Sequence, residues 1–276
     1  MILSAFLDRH SGRAILIRIE AVEGSAPREA GTCMAVSETD IAGTIGGGQL
    51  EFHCIDIARE MLTAGETLRS LAIPLGPQMG QCCGGRVAVR MTRPGAAEIA
   101  MLAATERASL AARCQIMIFG AGHTGRALAL ALAPLPFATS LIDDRDGTLQ
   151  GLPAAITCIR MDDPALAIET VPPGSAFIVL SHSHALDYRL AEAALMRGDG
   201  AYVGMIGSAT KRARFASGFL RSGGTRDALS RLTCPIGGCD VDDKRPEVIA
   251  ALTAAELVRC LLGTRQGVEA RETTQA

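Results

Sequence analysis

Along the chain, apolar residues repeat with two different periods. Between residues 14 and 91 short runs alternate with turn residues: AILIRIE (14–20), TCMAVS (32–37), IAGTI (41–45), TLRSLAIPL (67–75) and RVAVRM (86–91) read as strands separated by glycine and proline clusters. One stretch here has helical spacing instead. Leu50, Cys54, Ile57, Ala58, Met61 and Leu62 line up on one face of a helix over QLEFHCIDIAREML (49–62). Strands with one interspersed helix make the first half α+β.

After residue 114 the pattern changes. QIMIF (115–119), ATSLI (138–142), AAITCI (154–159), AFIVL (176–180) and AYVGMI (201–206) are apolar almost throughout, and helical patterns begin near residues 123, 187, 209 and 246. Strands of this kind, alternating with helices, are expected where a parallel sheet is covered on both faces. The predicted fold class is α/β, with a C-terminal Rossmann-like parallel-sheet domain preceded by a smaller α+β domain. The expected boundaries are 1–93 for the α+β domain, 94–113 for a proline-started, alanine-rich linker or connecting helix, 114–265 for the Rossmann-like domain and 266–276 for a polar tail.

Composition narrows the function. A chain of 276 residues with 48% hydrophobic side chains can bury two ordinary cores. Aromatic residues make up 3% and tryptophan is absent, so the cores are expected to be aliphatic and base-stacking platforms for single-stranded nucleic acid are not expected. The formal net charge of −2 supplies no global field for a phosphate backbone. The N-terminal MILSAFLDRHSGR lacks the pattern of a secretory signal, and the longest apolar stretch (128–142) is short and carries Pro134 and Pro136. A cytoplasmic protein without a membrane segment is expected. Nine scattered cysteines with no C-x-x-C pair suggest neither a disulfide framework nor a structural zinc site, and most are expected to be small buried hydrophobes.

Candidate chemistry gathers in glycine-rich turns. Gly120, Gly122 and Gly125 form Gly-x-Gly-x-x-Gly between a strand and a helix, and Asp143 follows the next strand, where the ribose-binding acid of a dinucleotide fold is expected. The glycines alone do not separate a bound dinucleotide from a tight turn, and a valine in place of Gly122 is expected to clash there. His123 stands at the mouth of this loop, open to a capping role or to ligand contact. Ser208, Lys211 and Arg212 follow another strand, as a second anion site or a solvated helix face. His182 and His184 are two residues apart on a segment that would point them different ways, so no fixed metal is expected there. Gly46, Gly47 and Gly48, with Glu51 in the following helical turn, can wrap an oxyanion or simply supply positive φ. Cys82 and Cys83 precede Gly84 and Gly85; a bond between adjacent cysteines is strained, leaving a thiolate favoured by the nearby Arg86 or a packed thiol.

Taken in order, GSAPREAG (24–31), GTIGGGQLE (43–51), GQCCGGRV (80–87), FGAGHTGRAL (119–128), LIDDR (141–145), YVGMIGSATKRARF (202–215) and CPIG (234–237) resemble the XdhC/CoxI accessory proteins that mature molybdenum hydroxylases. The motifs span nearly the whole chain, and the doubled cysteine resembles the xanthine dehydrogenase branch. The resemblance implies a chaperone rather than a metabolic enzyme. Such a protein binds molybdenum cofactor (molybdopterin), supports replacement of an oxo ligand by sulfur with a cysteine desulfurase, and hands the cofactor to apo-xanthine dehydrogenase. Molybdenum cofactor biosynthesis proteins are further candidate partners, and a homodimer stays open. On this basis Gly46, Gly47, Gly48, Glu51, Cys82 and Cys83 face the cofactor, with Cys83 the molybdenum ligand. Gly120, Gly122, His123, Gly125, Asp143, Arg145, His182, Ser208, Lys211 and Arg212 complete the cofactor set as a phosphate or nucleotide site. The competing reading is an NAD(P)-dependent oxidoreductase using the same glycine loop and Asp143, with His182 or His184 as acid.

Overall fold

The computed structural model describes residues 2–76 and 84–263. The chain divides into two units, Met1–Ala112 and Arg113–Ala276.

In the first unit the strands β1 (Ala14–Glu23), β2 (Cys33–Ser37), β3 (Ile41–Gly43), β4 (Leu68–Pro74) and β5 (Arg86–Thr92) form an antiparallel sheet in the order β3-β2-β1-β5-β4. Central β1 is apolar on both faces, and its period of two divides them. Ile15, Ile17 and Ile19 pack with Leu50, Cys54, Ile57, Ala58 and Met61 of α2 (Gly48–Ala64), while Ala14 and Leu16 pack with Phe6 and Leu7 of α1 (Leu3–Arg9) and Ile99 of α3 (Ala96–Ala111). The stretch 94–113, read as a linker or connecting helix, thus contains a helix built into the first unit. Glu106 of α3 accepts bonds from Leu3 N at 2.8 Å and Ser4 Oγ at 2.5 Å, satisfying orphan donors at the start of α1.

In the second unit β6 (Cys114–Phe119), β7 (Phe137–Asp143), β8 (Ile156–Arg160), β9 (Ala176–Val179), β10 (Tyr202–Met205) and β11 (Leu232–Thr233) form a parallel sheet, ordered β11-β10-β9-β6-β7-β8. This is the doubly wound Rossmann order, and the crevice at its reversal lies between β6 and β9. Ile116 and Ile118 of β6 face α4 (His123–Leu132) and α9 (Pro246–Leu262); Met117 and Phe119 face α6 (His184–Arg197) and α7 (Ala209–Arg221). The core is not uniformly aliphatic. Phe119, Phe177, Phe215 and Phe219 are gathered in the layer under α6 and α7, where the rings of Phe215 and Phe219 stack at 5.6 Å.

Helix α6 begins three residues before the expected position because Ser183 caps it, accepting from Leu186 N. The short elements α1, α5 (Leu166–Thr170), α8 (Arg226–Ser230) and β11 were not anticipated. Of the seven described cysteines, Cys54 alone is fully buried, and Cys158, Cys239 and Cys260 are exposed, so the expectation of mostly buried thiols fails. Among the described residues no helix is long and apolar enough to cross a membrane.

Candidate functional site

The glycine loop after β6 divides its labour. Gly120 has φ +116°, and a Cβ there would lie 2.3 Å from the Leu180 carbonyl oxygen. A Cβ on Gly125 would sit 1.8 Å from the Gly120 oxygen, so Gly125 lets α4 pack against its own loop. Gly122 is different. Its φ of −71° and ψ of −173° suit any residue, and no atom lies within 4 Å of a Cβ built there. The clash expected for Gly122→Val is therefore absent; sterics demand glycine at 120 and 125, while at 122 the chain leaves open space beside the N-terminus of α4.

Asp143, the last residue of β7, is 2% exposed and has its hydrogen-bonding capacity filled from within. Oδ2 accepts from Ala121 N (2.6 Å) and Arg145 Nη2 (2.8 Å); Oδ1 accepts from Arg145 N and Nε, both at 2.9 Å. Burial alone would raise its pKa, but the bonds from Arg145 and the two backbone amides outweigh it and hold the carboxyl at about 2. With two bonds at each oxygen, Asp143 braces the loop and has no lone pair left for a ribose. The expectation for Asp143 is corrected accordingly. Arg145 is committed to the same brace, which supports its cationic form.

The outward carboxylate is the next one, Asp144. It lines, together with Asp143, a small recess at the sheet reversal with Gly120, Pro164, Ser181, His182 and Leu186, and its Oδ1 lies 3.5 Å from His182 Nδ1. Along β7, Ile142 packs with the α6 layer and Leu141 with the α4 layer, and Asp143, the last strand residue, reaches the glycine loop at Ala121 N; Asp144 lies one residue past the strand end. His123 is exposed and lines a separate cleft of about 390 Å³ with Arg126, Leu130 and Glu247.

Lys211 is not a free phosphate clamp. Its Nζ donates to Asp187 Oδ2 (2.5 Å) and Ile206 O (2.8 Å), and the two side chains are only 10% and 2% exposed. Asp187 also accepts from Ser181 N (2.8 Å), so this buried pair ties the loop after β9 to that after β10. Ser208 caps α7 by accepting from Lys211 N. Arg212 is half-buried, while Ser208 and Lys211 line, with Arg214, His184 and Tyr188, an adjoining cleft of about 500 Å³. Asp187, like Asp144, was not among the expected site residues.

In the first unit the triple-glycine turn holds its own anion. Gly46, Gly47 and Gly48 have φ values of +127°, +74° and +67°. Glu51 Oε2 accepts from Thr44 Oγ1 (2.5 Å), Ile45 N (3.1 Å) and Gly47 N (3.1 Å), so the Glu51 carboxylate fills the turn expected to wrap a ligand's oxyanion. Cys82 and Cys83 lie outside the described residues. Their flanks are pinned: Gly84 N donates to Leu75 O (2.8 Å), Leu75 N to Gly85 O (2.7 Å), and a Cβ on Gly85 would lie 2.2 Å from Ser25 O. Burial, with Glu51 adding to it, pushes the Cys54 thiol up to about 12, and burial also raises the half-buried Cys33, Cys114 and Cys234. Among the described residues no group of three or more His, Cys, Asp or Glu side chains is placed to hold a metal ion.

Comparisons place this architecture. An uncharacterized Escherichia coli K12 protein, YqeB, is 24% identical over 270 residues, covering 93% of this chain; the chain spans 45% of that relative's length. The crystal structure of a xanthine dehydrogenase from Bacillus halodurans superposes with a TM-score of 0.78 at 18% identity, covering 97% of this chain and 98% of that one, and shows the shared fold. The XdhC and CoxI family matches residues 8–71, and the XdhC Rossmann domain matches residues 116–257, just over half of the chain. The chain belongs to the XdhC family.

Proposed function

We propose that this protein serves the maturation of a xanthine dehydrogenase by carrying molybdenum cofactor as cargo, supporting its sulfuration with a cysteine desulfurase and delivering it to the apo-enzyme. Family membership supports the maturation role. The structural observation that carries the reading is a convergence within the first unit. Ser25 bridges to Gly84, Gly24 and Ser25 crowd Gly85, and a Cβ on Gly46 would lie 2.5 Å from Pro27 Cβ. The 24–31 segment therefore touches both the triple-glycine turn and Gly84 and Gly85, the residues that follow the doubled cysteine in sequence. Described residues of three motifs scattered along the sequence, Ser25 and Pro27, Gly46, and Gly84 and Gly85, thus come together, a concentration that turn-making alone does not require.

In this proposal a thiolate of the 82–83 pair is the soft donor for molybdenum, with Cys83 the primary ligand. Glu51 keeps the neighbouring turn in shape and is not displaced by cargo. The test is to load purified protein with molybdenum cofactor, measure retained molybdenum by mass spectrometry, and assay reconstitution of apo-xanthine dehydrogenase. Cys83→Ala is expected to fold normally and to lose most of the retained metal. Full retention and full reconstitution by Cys83→Ala and by the double variant lacking both thiols would remove the cysteines from the mechanism.

A further inference from the structure

Glu51 fills the triple-glycine turn with a carboxylate of the chain itself, so an anionic cargo that meets this turn has to find its cation elsewhere. One stands beside the turn. A Cβ on Gly46 would lie 3.5 Å from Arg28 Cγ, which sets the stem of Arg28 against the turn while the residue as a whole is exposed. Among the described residues no carboxylate pairs with its guanidinium.

Phe52 marks the other end of the same turn. Of the seven phenylalanines, Phe6, Phe119, Phe137, Phe177, Phe215 and Phe219 are at most 4% exposed, whereas Phe52 is 61% exposed. The buried stripe of α2 is complete without it, running through Leu50, Cys54, Ile57, Ala58 and Met61. Phe52 falls on the opposite face, among the exposed Gln49, His53 and Asp56, where its ring forgoes the stabilisation that burial gives. A helical side chain leans toward the helix N-terminus, so Phe52 is directed back toward Gly48, one turn earlier. Gly46 and Gly48 are two residues apart, at most about 7 Å. A flat apolar face and a cation thus flank one short turn. A single ring on a polar helix face is too little apolar surface for a protein interface, whereas it matches a small ligand that joins a planar ring to an anionic group. Molybdenum cofactor is such a ligand, a pterin that carries a phosphate.

We propose that Phe52 stacks on the pterin ring of the cargo and that Arg28 pairs with its phosphate. This rests on the carrier reading and adds to it the residues that hold the part of the cargo without metal. The test is the affinity of the full-length protein for molybdenum cofactor, measured by ultrafiltration without oxygen, with bound molybdenum and bound pterin counted per chain. Phe52→Leu, which keeps the apolar bulk and removes the π face, is expected to raise the Kd about tenfold, and Phe52→Tyr to bind as wild type does. Arg28→Ala is expected to raise it about tenfold as well. Inorganic phosphate is expected to compete with the cofactor on wild type and to lose that effect on Arg28→Ala. Both side chains are exposed, so the variants are expected to melt with wild type. Unchanged affinity in Phe52→Leu or in Arg28→Ala, or equal weakening in Phe52→Leu and Phe52→Tyr, would overturn the proposal. If Cys83→Ala still loses the metal in the same assay, the carrier reading survives that failure. Normal cofactor affinity in Phe52→Leu with lost reconstitution of apo-xanthine dehydrogenase would make the ring a protein contact and overturn the proposal too. A wild-type protein that binds no cofactor would remove both readings at once.

Discussion

Two glycine turns, one in each unit, follow a strand and open a helix, and each is braced by a carboxylate of the same chain. They differ in where that carboxylate sits. Glu51 reaches back into the Gly46–Gly48 turn and takes the amides of Ile45 and Gly47 together with the Thr44 hydroxyl. Asp143 holds the Gly120–Gly125 loop at Ala121 N, leaving the space at Gly122 open. The first turn has its anion built in; the second leaves the space at Gly122 open. A glycine-rich string in a sequence therefore marks a turn, and the acids around it decide whether the turn receives a ligand.

The comparison is broken most severely at Gly125. Gly125→Ala puts a methyl 1.8 Å from the Gly120 oxygen and 2.7 Å from Leu180 Cδ1, so helix and loop must separate, and a loss of about 4 kcal/mol or more is expected. Gly122→Ala is the matched control and should cost at most about 1 kcal/mol, the difference between the two residues at a helix N-cap. Both tyrosines, Tyr188 and Tyr202, lie in the second unit, so tyrosine fluorescence in a urea titration follows that unit alone. Similar shifts for the two variants would sink the division of roles among these glycines.

Glu51→Ala acts on the other turn with a smaller effect. It leaves the Thr44 hydroxyl and two backbone amides without their acceptor in a part-buried setting, with a cost of about 2 kcal/mol. Since each unit has its own hydrophobic core, the loss should appear in the circular dichroism transition and leave the tyrosine transition in place. Glu51→Gln, which keeps one acceptor oxygen, should recover part of the loss. If Glu51→Ala is as stable as wild type, the turn is not held by its internal anion.

The parallel sheet was legible because its strands are apolar nearly throughout and its helices long enough to show a period. Elements of seven residues or fewer, such as α1 and α8, fall below the window in which periodicity can be read. The glycine loop was legible as a loop, but its individual glycines were not, since their roles depend on Leu180 and on Gly120's own oxygen. Asp144 was not legible as the outward acid, because it lies one residue past β7 and shares a recess with Asp143; only the hydrogen bonds that fill Asp143 tell the two apart. Lys211 was not, because its partner Asp187 lies 24 residues earlier and only the fold joins them. That buried pair also shows why a basic run after a glycine turn is weak grounds for a phosphate site.

Asp143 supplies the finest test of the contrast, because its bracing depends on charge. Its folded pKa of about 2 lies below the ordinary carboxylate value near 3.8, so the ionised form is favoured by folding. The contribution is complete above the unfolded value and is lost as pH falls toward the folded one; its size is about 2 kcal/mol. Asp143→Asn should therefore trail wild type by about that much at pH 7, with the gap narrowing as the pH is lowered from about 5 and closing toward about 2, read from the tyrosine transition. A gap independent of pH would mean that shape rather than charge holds the loop, and no gap at all would mean that an uncharged amide oxygen braces the Ala121 N–H as well as the native carboxylate does.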